Sequence, residues 1–455
     1  MEILVTTKSK QHSTTLEAQI SGARTSRRDN IRPGIRRVAL LAMTFPLLAA
    51  GCGFLDDLVG VDVPDRVVGE TLEAPINASV LMAGAVGDFE CALAMYVLAT
   101  GTTGDELMVT DGLTAQELYD RRAFDPRGLG SAYSQSTCSS RYEGTVGVYR
   151  PLSSARYQGE NLVKLLESWT DAEVPGRKTM IAKAAAYAGY SYLLLGESMC
   201  EAAFDLGPKV GSPEMFAKAE EMFTKAIDNA TDPTAVEFLN MARVGRARTR
   251  LNLGNKAGAA NDARLVPSGF VKNAIYSTVS SRRENFVNVD GLGNLYSVDP
   301  QFRNFQHMGV ADPRVGATNT GRVVAGVNIP VWTQTKYPAR NTPIPIARYA
   351  EAQLIIAEAE ADAGNLQTAV NIINALHARV GIPPFASNDK AAILAHIVTE
   401  RSAELFLEGQ RMGDIRRYNL PLIPAPGTPY HAGGTYADAR CYPFPGIESD
   451  GNPNA

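Results

Sequence analysis

Covalent lipid chemistry is the first chemistry this chain suggests. Cys52 follows Leu48-Ala49-Ala50-Gly51, small residues that let a lipoprotein peptidase fit the backbone beside an acylated thiol. Before them a basic segment (Arg24, Arg27, Arg28, Arg32, Arg36, Arg37) runs into an apolar stretch, Val38 to Gly51, that is too short to span a bilayer as a finished helix. The reading is a lipoprotein signal over residues 1–51, with lipidation at Cys52; the competing reading is an ordinary secretory peptide that happens to hold a cysteine. Arg36-Arg37 is compatible with twin-arginine export.

Acid–base chemistry would have to come from the charge-dense segment Glu400, Arg401, Glu404, Glu408 and Arg411, which has Leu405 and Phe406 in its middle. A carboxylate held by an arginine stays ionised and makes a poor general acid. The segment therefore predicts partly buried Arg–carboxylate pairs with a structural role. Metal chemistry finds little support: His307, His377, His396 and His431 are scattered, with no His-x-x-x-His pair, and Asp290-Gly-Leu-Gly-Asn294 lacks the alternating acids of a calcium loop. Gly-x-Ser-x-Gly, phosphate loops and dinucleotide fingerprints are also absent, so the sequence indicates no enzyme, no cofactor and no metal.

Four further cysteines, Cys91, Cys138, Cys200 and Cys441, contain no Cys-x-x-Cys pair. An even number in an exported chain suggests two disulfides. Of the three connectivities we favour Cys91–Cys138, which is local, and Cys200–Cys441, which ties the tail to the helical body; buried free thiols are the alternative. Removing residues 1–51 takes away eight basic and three acidic side chains, so a net charge of −4 becomes −9. An acidic body argues against nucleic acid as a partner. No second apolar run is expected to approach eighteen residues, which leaves one lipid anchor on an otherwise soluble domain.

A sugar site would use aromatic faces with amides or carboxylates nearby. Tyr296, Phe302, Phe305, Trp332 and Tyr337, near Asn294, Asn304 and Gln334, supply them. The competing reading makes these aromatics a small core of their own.

The elements that must position these residues follow from periodicity. After a tether over 52–73, helices are expected from Asn77 to Tyr96, over 151–170, and from Lys178 to Leu195. Ser212-Pro213-Glu214 then reads as a cap and a proline opening a helix with Phe216, Ala219, Phe223, Ile227 and Ala230 on one face. Phe216-x-x-Ala219 recurs as Lys256-x-x-Ala259 after Gly254-Asn255 and as Leu366-x-x-Ala369 after Gly364-Asn365, an internal repeat of helical hairpins of the tetratricopeptide type. A Gly- and Pro-rich insertion over 267–345 interrupts it, with a short strand expected from Arg322 to Ile329. Helices resume at Arg348, one running from about Asp389 to Leu407, and the Pro- and Gly-rich segment 421–455 shows no helix pattern. The expected organisation is a single domain over 74–455, with repeats at about 76–265 and 346–418.

Three strings carry a family resemblance: Arg348-Tyr-Ala-Glu351 through Glu358, Ala369 through Arg379-Val-Gly381-Ile-Pro383, and Glu400-Arg401-Ser-Ala-Glu404-Leu-Phe-Leu-Glu408-Gly409-Gln-Arg411-Met-Gly-Asp414-Ile-Arg-Arg417. With Asp312-Pro-Arg314 before them and Tyr442-Pro-Phe-Pro445 after, they resemble the signature of the RagB/SusD family of outer-membrane nutrient-binding lipoproteins. Cys441 and Cys200 depart from that pattern. The resemblance implies an all-α, tetratricopeptide-like scaffold with an irregular ligand-binding face, and a SusC-like TonB-dependent barrel transporter as partner. It also implies capture of an oligosaccharide or peptide without cleavage at the cell outer membrane, and it assigns no ligand residue by position. Two readings of another class stand beside it: an envelope assembly scaffold without a small ligand, and a glycoside hydrolase, which would need two unpaired carboxylates facing each other in a cleft.

Overall fold

Helix faces made of alanine and glycine let backbones approach closely, and the body of the molecule is a stack of such helices. The computed structural model describes residues 72–110, 116–138, 146–288 and 295–455. The signal, Cys52, nearly all of the tether and the Asp290–Asn294 loop lie outside the described residues.

The long helices are α1 (Ala78–Thr103), α2 (Tyr149–Ser168), α3 (Arg177–Ser198), α4 (Ser212–Asn229), α5 (Val236–Asn252), α6 (Lys256–Ala263), α7 (Tyr349–Asp362), α8 (Leu366–Val380), α9 (Lys390–Glu404) and α10 (Arg411–Arg417). Each of α1 to α8 packs on the next in sequence, and α9 closes on both α7 and α8. The repeat alanines Ala219, Ala259 and Ala369 are fully buried where hairpin partners meet. Gly254 and Gly364 turn the hairpins with φ of +79° and +87°, a region that glycine enters without penalty.

The strands form separate antiparallel pairs: β1 (Leu107–Val109) with β5 (Tyr296–Val298), β2 (Glu201–Ala202) with β3 (Val210–Gly211), β4 (Val271–Ala274) with β10 (Ile344–Arg348), β6 (Gln306–His307) with β7 (Val310–Ala311), and β8 (Ala317–Val324) with β9 (Ile329–Gln334). The β4–β10 pair explains the irregular repeat spacing. It clamps the insertion at its base and returns the chain so that α7 packs on α6, which continues the helical stack across the interruption.

Several sequence expectations need correction. The strand expected from Arg322 to Ile329 is instead the tip of the β8–β9 hairpin, because Gly326 and Asn328 take φ of +87° and +55° and reverse the chain. The helix expected to reach Leu407 stops at Glu404, and Leu407, at φ +53°, donates its N–H to Glu106 Oε1 at 2.9 Å. Ser212 is the first helical residue of α4, and it is the Gly211 N–H that the Glu214 carboxylate caps, at 3.1 Å. The tail contains one short helix, Gly446–Gly451. The apolar-run expectation also fails: the helix spanning Pro75–Thr103 is long and apolar enough to cross a membrane by composition. Its most apolar window is 67% buried within the protein, and Phe89, Ala92, Tyr96 and Val97 are fully enclosed, as in a core helix.

Both favoured disulfides are formed. Cys91–Cys138 and Cys200–Cys441 span Cα separations of 6.1 and 5.1 Å. Tyr442, beside the second bridge, exchanges backbone hydrogen bonds with Ser198 and Cys200 and stacks on Tyr133 at 5.4 Å between centroids. The tail is thereby anchored to α3.

Candidate functional site

The signature residues assemble into a buried charge network at the junction of the insertion, α7 and α9. Arg314, which follows β7, donates to Glu400 Oε1 at 2.5 Å, to Glu404 Oε2 at 2.8 Å and to Asp312 Oδ2 at 2.6 Å. Arg348, at the end of β10, holds Glu404 and bonds Glu408 at 2.9 Å, while Lys336 reaches Glu408 at 2.6 Å. A second set joins Arg401 to Asp414 at 2.9 Å and Arg417 to Glu358 at 2.5 Å. Arg411 departs from the expected pattern and donates to Ser402 Oγ at 3.0 Å. The i, i+4 spacing of Glu400, Glu404 and Glu408 was visible in the sequence. That Lys336 belongs with them was not, since it lies 72 residues from Glu408.

Electrostatics give this network a structural character. Burial by itself would raise the Glu404 carboxyl, but Arg348 and Arg314 outweigh it and hold the group down at about 2. Glu400 is likewise lowered: hydrogen bonds from His377 and Arg314 overcome its burial. Carboxylates pushed the other way also occur. Burial raises Asp105, Glu106 and Glu351 to about 7 and Asp120 to about 8. All four are almost entirely enclosed, and none lines a described cleft. The facing, unpaired carboxylates that glycoside hydrolysis requires are therefore not found among the described clefts.

The structure divides the insertion aromatics. Tyr296 (6% exposed), Phe302 (2%) and Tyr337 (1%) are core, and burial on this scale leaves no ring face for a ligand. Tyr296 packs in the β1–β5 pair, Phe302 against Phe406 at 5.0 Å, and Tyr337 donates its hydroxyl proton to Leu407 O at 2.9 Å. Gln334 is enclosed as well, bonding Val287 O and Tyr337 O. Phe305 and Trp332 keep accessible surface. The Arg303 guanidinium sits 5.9 Å from the Trp332 ring, whose strand register is fixed by its N–H donating to Ser297 Oγ at 2.8 Å.

Two other features leave no trace in the local sequence pattern. A cleft of about 510 Å³ opens between the repeat helices, lined by Leu251, Lys256, Leu394, Val398, Tyr418 and Leu420. The supposedly scattered His307, His377 and His396 converge with Glu400, one ligand-capable atom from each lying within 4.8 Å of the others. The residues sit on three separate elements, which is why linear spacing concealed them.

Comparison with known proteins agrees with this geometry. Residues 275–444 match the SusD family. No curated protein matches the chain in sequence. Among solved structures, a SusD superfamily protein of Bacteroides vulgatus superposes with a TM-score of 0.64 at 14% identity, covering 84% of this chain and 99% of that one. A SusD-like carbohydrate binding protein of the same organism gives 0.63 at 15% identity, covering 84% and 97%. Surface glycan-binding protein A of Bacteroides thetaiotaomicron, in complex with laminarihexaose, gives 0.61 at 14%, covering 83% and 98%. The stretch that matches the SusD family, residues 275–444, holds the signature network, and the chain shares its fold with the SusD-like structures.

Proposed function

We propose that this chain is a surface lipoprotein of the outer membrane that captures an oligosaccharide on its loop-rich insertion and passes it, uncleaved, to a SusC-like TonB-dependent transporter. The observation that carries the reading is the family match over 275–444 joined to a fold shared with a protein whose structure holds laminarihexaose. Phe305 and Trp332 are the residues proposed to meet the sugar, because they are the insertion aromatics that the fold leaves partly exposed. Lipid on Cys52 supplies the tether, and the paired carboxylates of the signature suit binding rather than hydrolysis.

Glycan-array screening followed by titration of the best ligand tests the reading. Trp332→Ala is expected to weaken binding roughly tenfold, the scale of one aromatic contact. An unchanged affinity would move the site off the insertion. Cys52→Ala should release the protein from the membrane fraction.

The 510 Å³ cleft between the repeat helices favours a second reading, in which a peptide or protein segment binds there, because Leu251, Leu394, Val398 and Leu420 give it apolar walls. Failure to bind any glycan, together with peptide binding lost on Val398→Asp, would select that reading.

A further inference from the structure

His307 on β6, His377 on α8 and His396 on α9 bring three rings together with centroid separations of 4.9, 5.0 and 5.4 Å. Three imidazoles bound at about 2.0–2.1 Å to one tetrahedral ion would have centroids roughly 5 Å apart. His396 and Glu400 stand four residues apart on α9 and so project from one helix face.

The hydrogen bonds around the rings fit ligation. His307 Nδ1 lies 3.2 Å from Asp312 Oδ2 and 3.3 Å from Arg314 Nη2; the tautomer that donates to Asp312 leaves Nε2, which is buried without a partner, as a lone pair. His377 Nδ1 lies 2.8 Å from the Pro383 carbonyl, which can only accept, so Nδ1 carries a proton. Its Nε2 then faces Glu400 Oε2 at 3.0 Å, a contact that either a second ring proton or a bound cation would satisfy. Metal-bound histidines typically donate their second ring nitrogen to a carboxylate or backbone carbonyl in this way. His396 Nε2 is also buried without a partner, and its ring lies flat on Phe385 at 3.8 Å. Among the described residues the adjoining network pairs Arg314, Lys336 and Arg348 with Asp312, Glu400, Glu404 and Glu408, so carboxylates outnumber the side-chain cations.

We propose that His307, His377, His396 and Glu400 form a Zn²⁺ site that staples the insertion to the α8–α9 hairpin. Four protein ligands make it a closed, structural site, and the ligand atoms draw inward from their 4.8 Å spread to the roughly 3.3 Å edges of a tetrahedron.

The test uses the full-length chain, extracted in detergent without a polyhistidine tag, stripped with chelator and titrated with ZnCl₂ or CoCl₂. One equivalent of zinc is expected to bind and raise the thermal midpoint, and Co²⁺ should give the intense visible bands of a tetrahedral site. His396→Gln and His307→Gln should each lose the bound equivalent. Asp312→Asn should weaken affinity about 10–100-fold. The proposal is overturned if the folded wild-type chain takes up no zinc, or if uptake and the cobalt spectrum persist unchanged in both histidine variants. Should a variant fail to fold, the wild-type cobalt spectrum and thermal shift still decide.

Discussion

Arg314 shows what a single side chain contributes here. It satisfies Asp312, Glu400 and Glu404 at once, with its own side chain only 8% exposed. Arg314→Met would leave three buried carboxylates short of their common cation, and breaking a buried pair by removing one partner costs about 3–5 kcal/mol; urea unfolding should show a midpoint lowered to match. The titration of such groups sets a pH profile with two limbs. Glu404 is depressed to about 2, so the stability it confers is present above the unfolded glutamate value and is lost as pH falls through about 2. Asp120, raised to about 8, and Asp105, Glu106 and Glu351, raised to about 7, act in the opposite sense: their contribution is present at low pH and is lost as pH rises through those values. The thermal midpoint is therefore expected to rise from pH 9 to pH 6 and to fall between about pH 4 and pH 2. A flat profile above pH 6 would contradict the burial of those four carboxylates. The glutamates of the network were legible in the sequence as a dense charged segment, whereas their pairing was not, because Arg314 and Lys336 lie within the insertion and Arg348 just after it, 86, 72 and 56 residues from the glutamates they meet.

At the scale of elements, helix spacing rests on glycine opposite phenylalanine. The Phe223 ring of α4 lies between Gly189 of α3 and Gly245 of α5, and a Cβ on Gly245 would stand 2.3 Å from it. Alanine is the better helix former, by roughly 0.5–1 kcal/mol. Phe223 is fully enclosed, however, and cannot give way. Overpacking of this kind costs about 1–3 kcal/mol, so Gly245→Ala should be net destabilising in a thermal melt, whereas the uncrowded Gly84→Ala on α1 should not. Periodicity revealed the amphipathic hairpins and their repeated alanine. It could not reveal which glycine faces which ring, since that depends on how two helices dock. The β8–β9 hairpin was misplaced for a related reason: the turn at Gly326 and Asn328 was read as part of a strand.

At the scale of the whole molecule, the Cys200–Cys441 bridge closes a loop with a sequence separation of 241 residues and binds an irregular tail to α3. In the chain-entropy account a loop that long contributes about 5 kcal/mol, and native disulfides commonly give 2–5 kcal/mol. Cys441→Ser is expected to lower the thermal midpoint by several degrees and to expose the tail to limited proteolysis. Non-reduced peptide mapping should recover Cys91–Cys138 and Cys200–Cys441, and a Cys91–Cys200 peptide would refute both pairings. Alone, the sequence determined the helical class, the repeat and the family signature, because each is written in local periodicity or in residue types that stand together. Only the tertiary structure decided which aromatics stay partly exposed, which cysteines pair, which arginines meet the signature carboxylates, and that three distant histidines converge on Glu400. Those outcomes depend on contacts between elements as far apart as Glu106 and Leu407, and no local pattern records them.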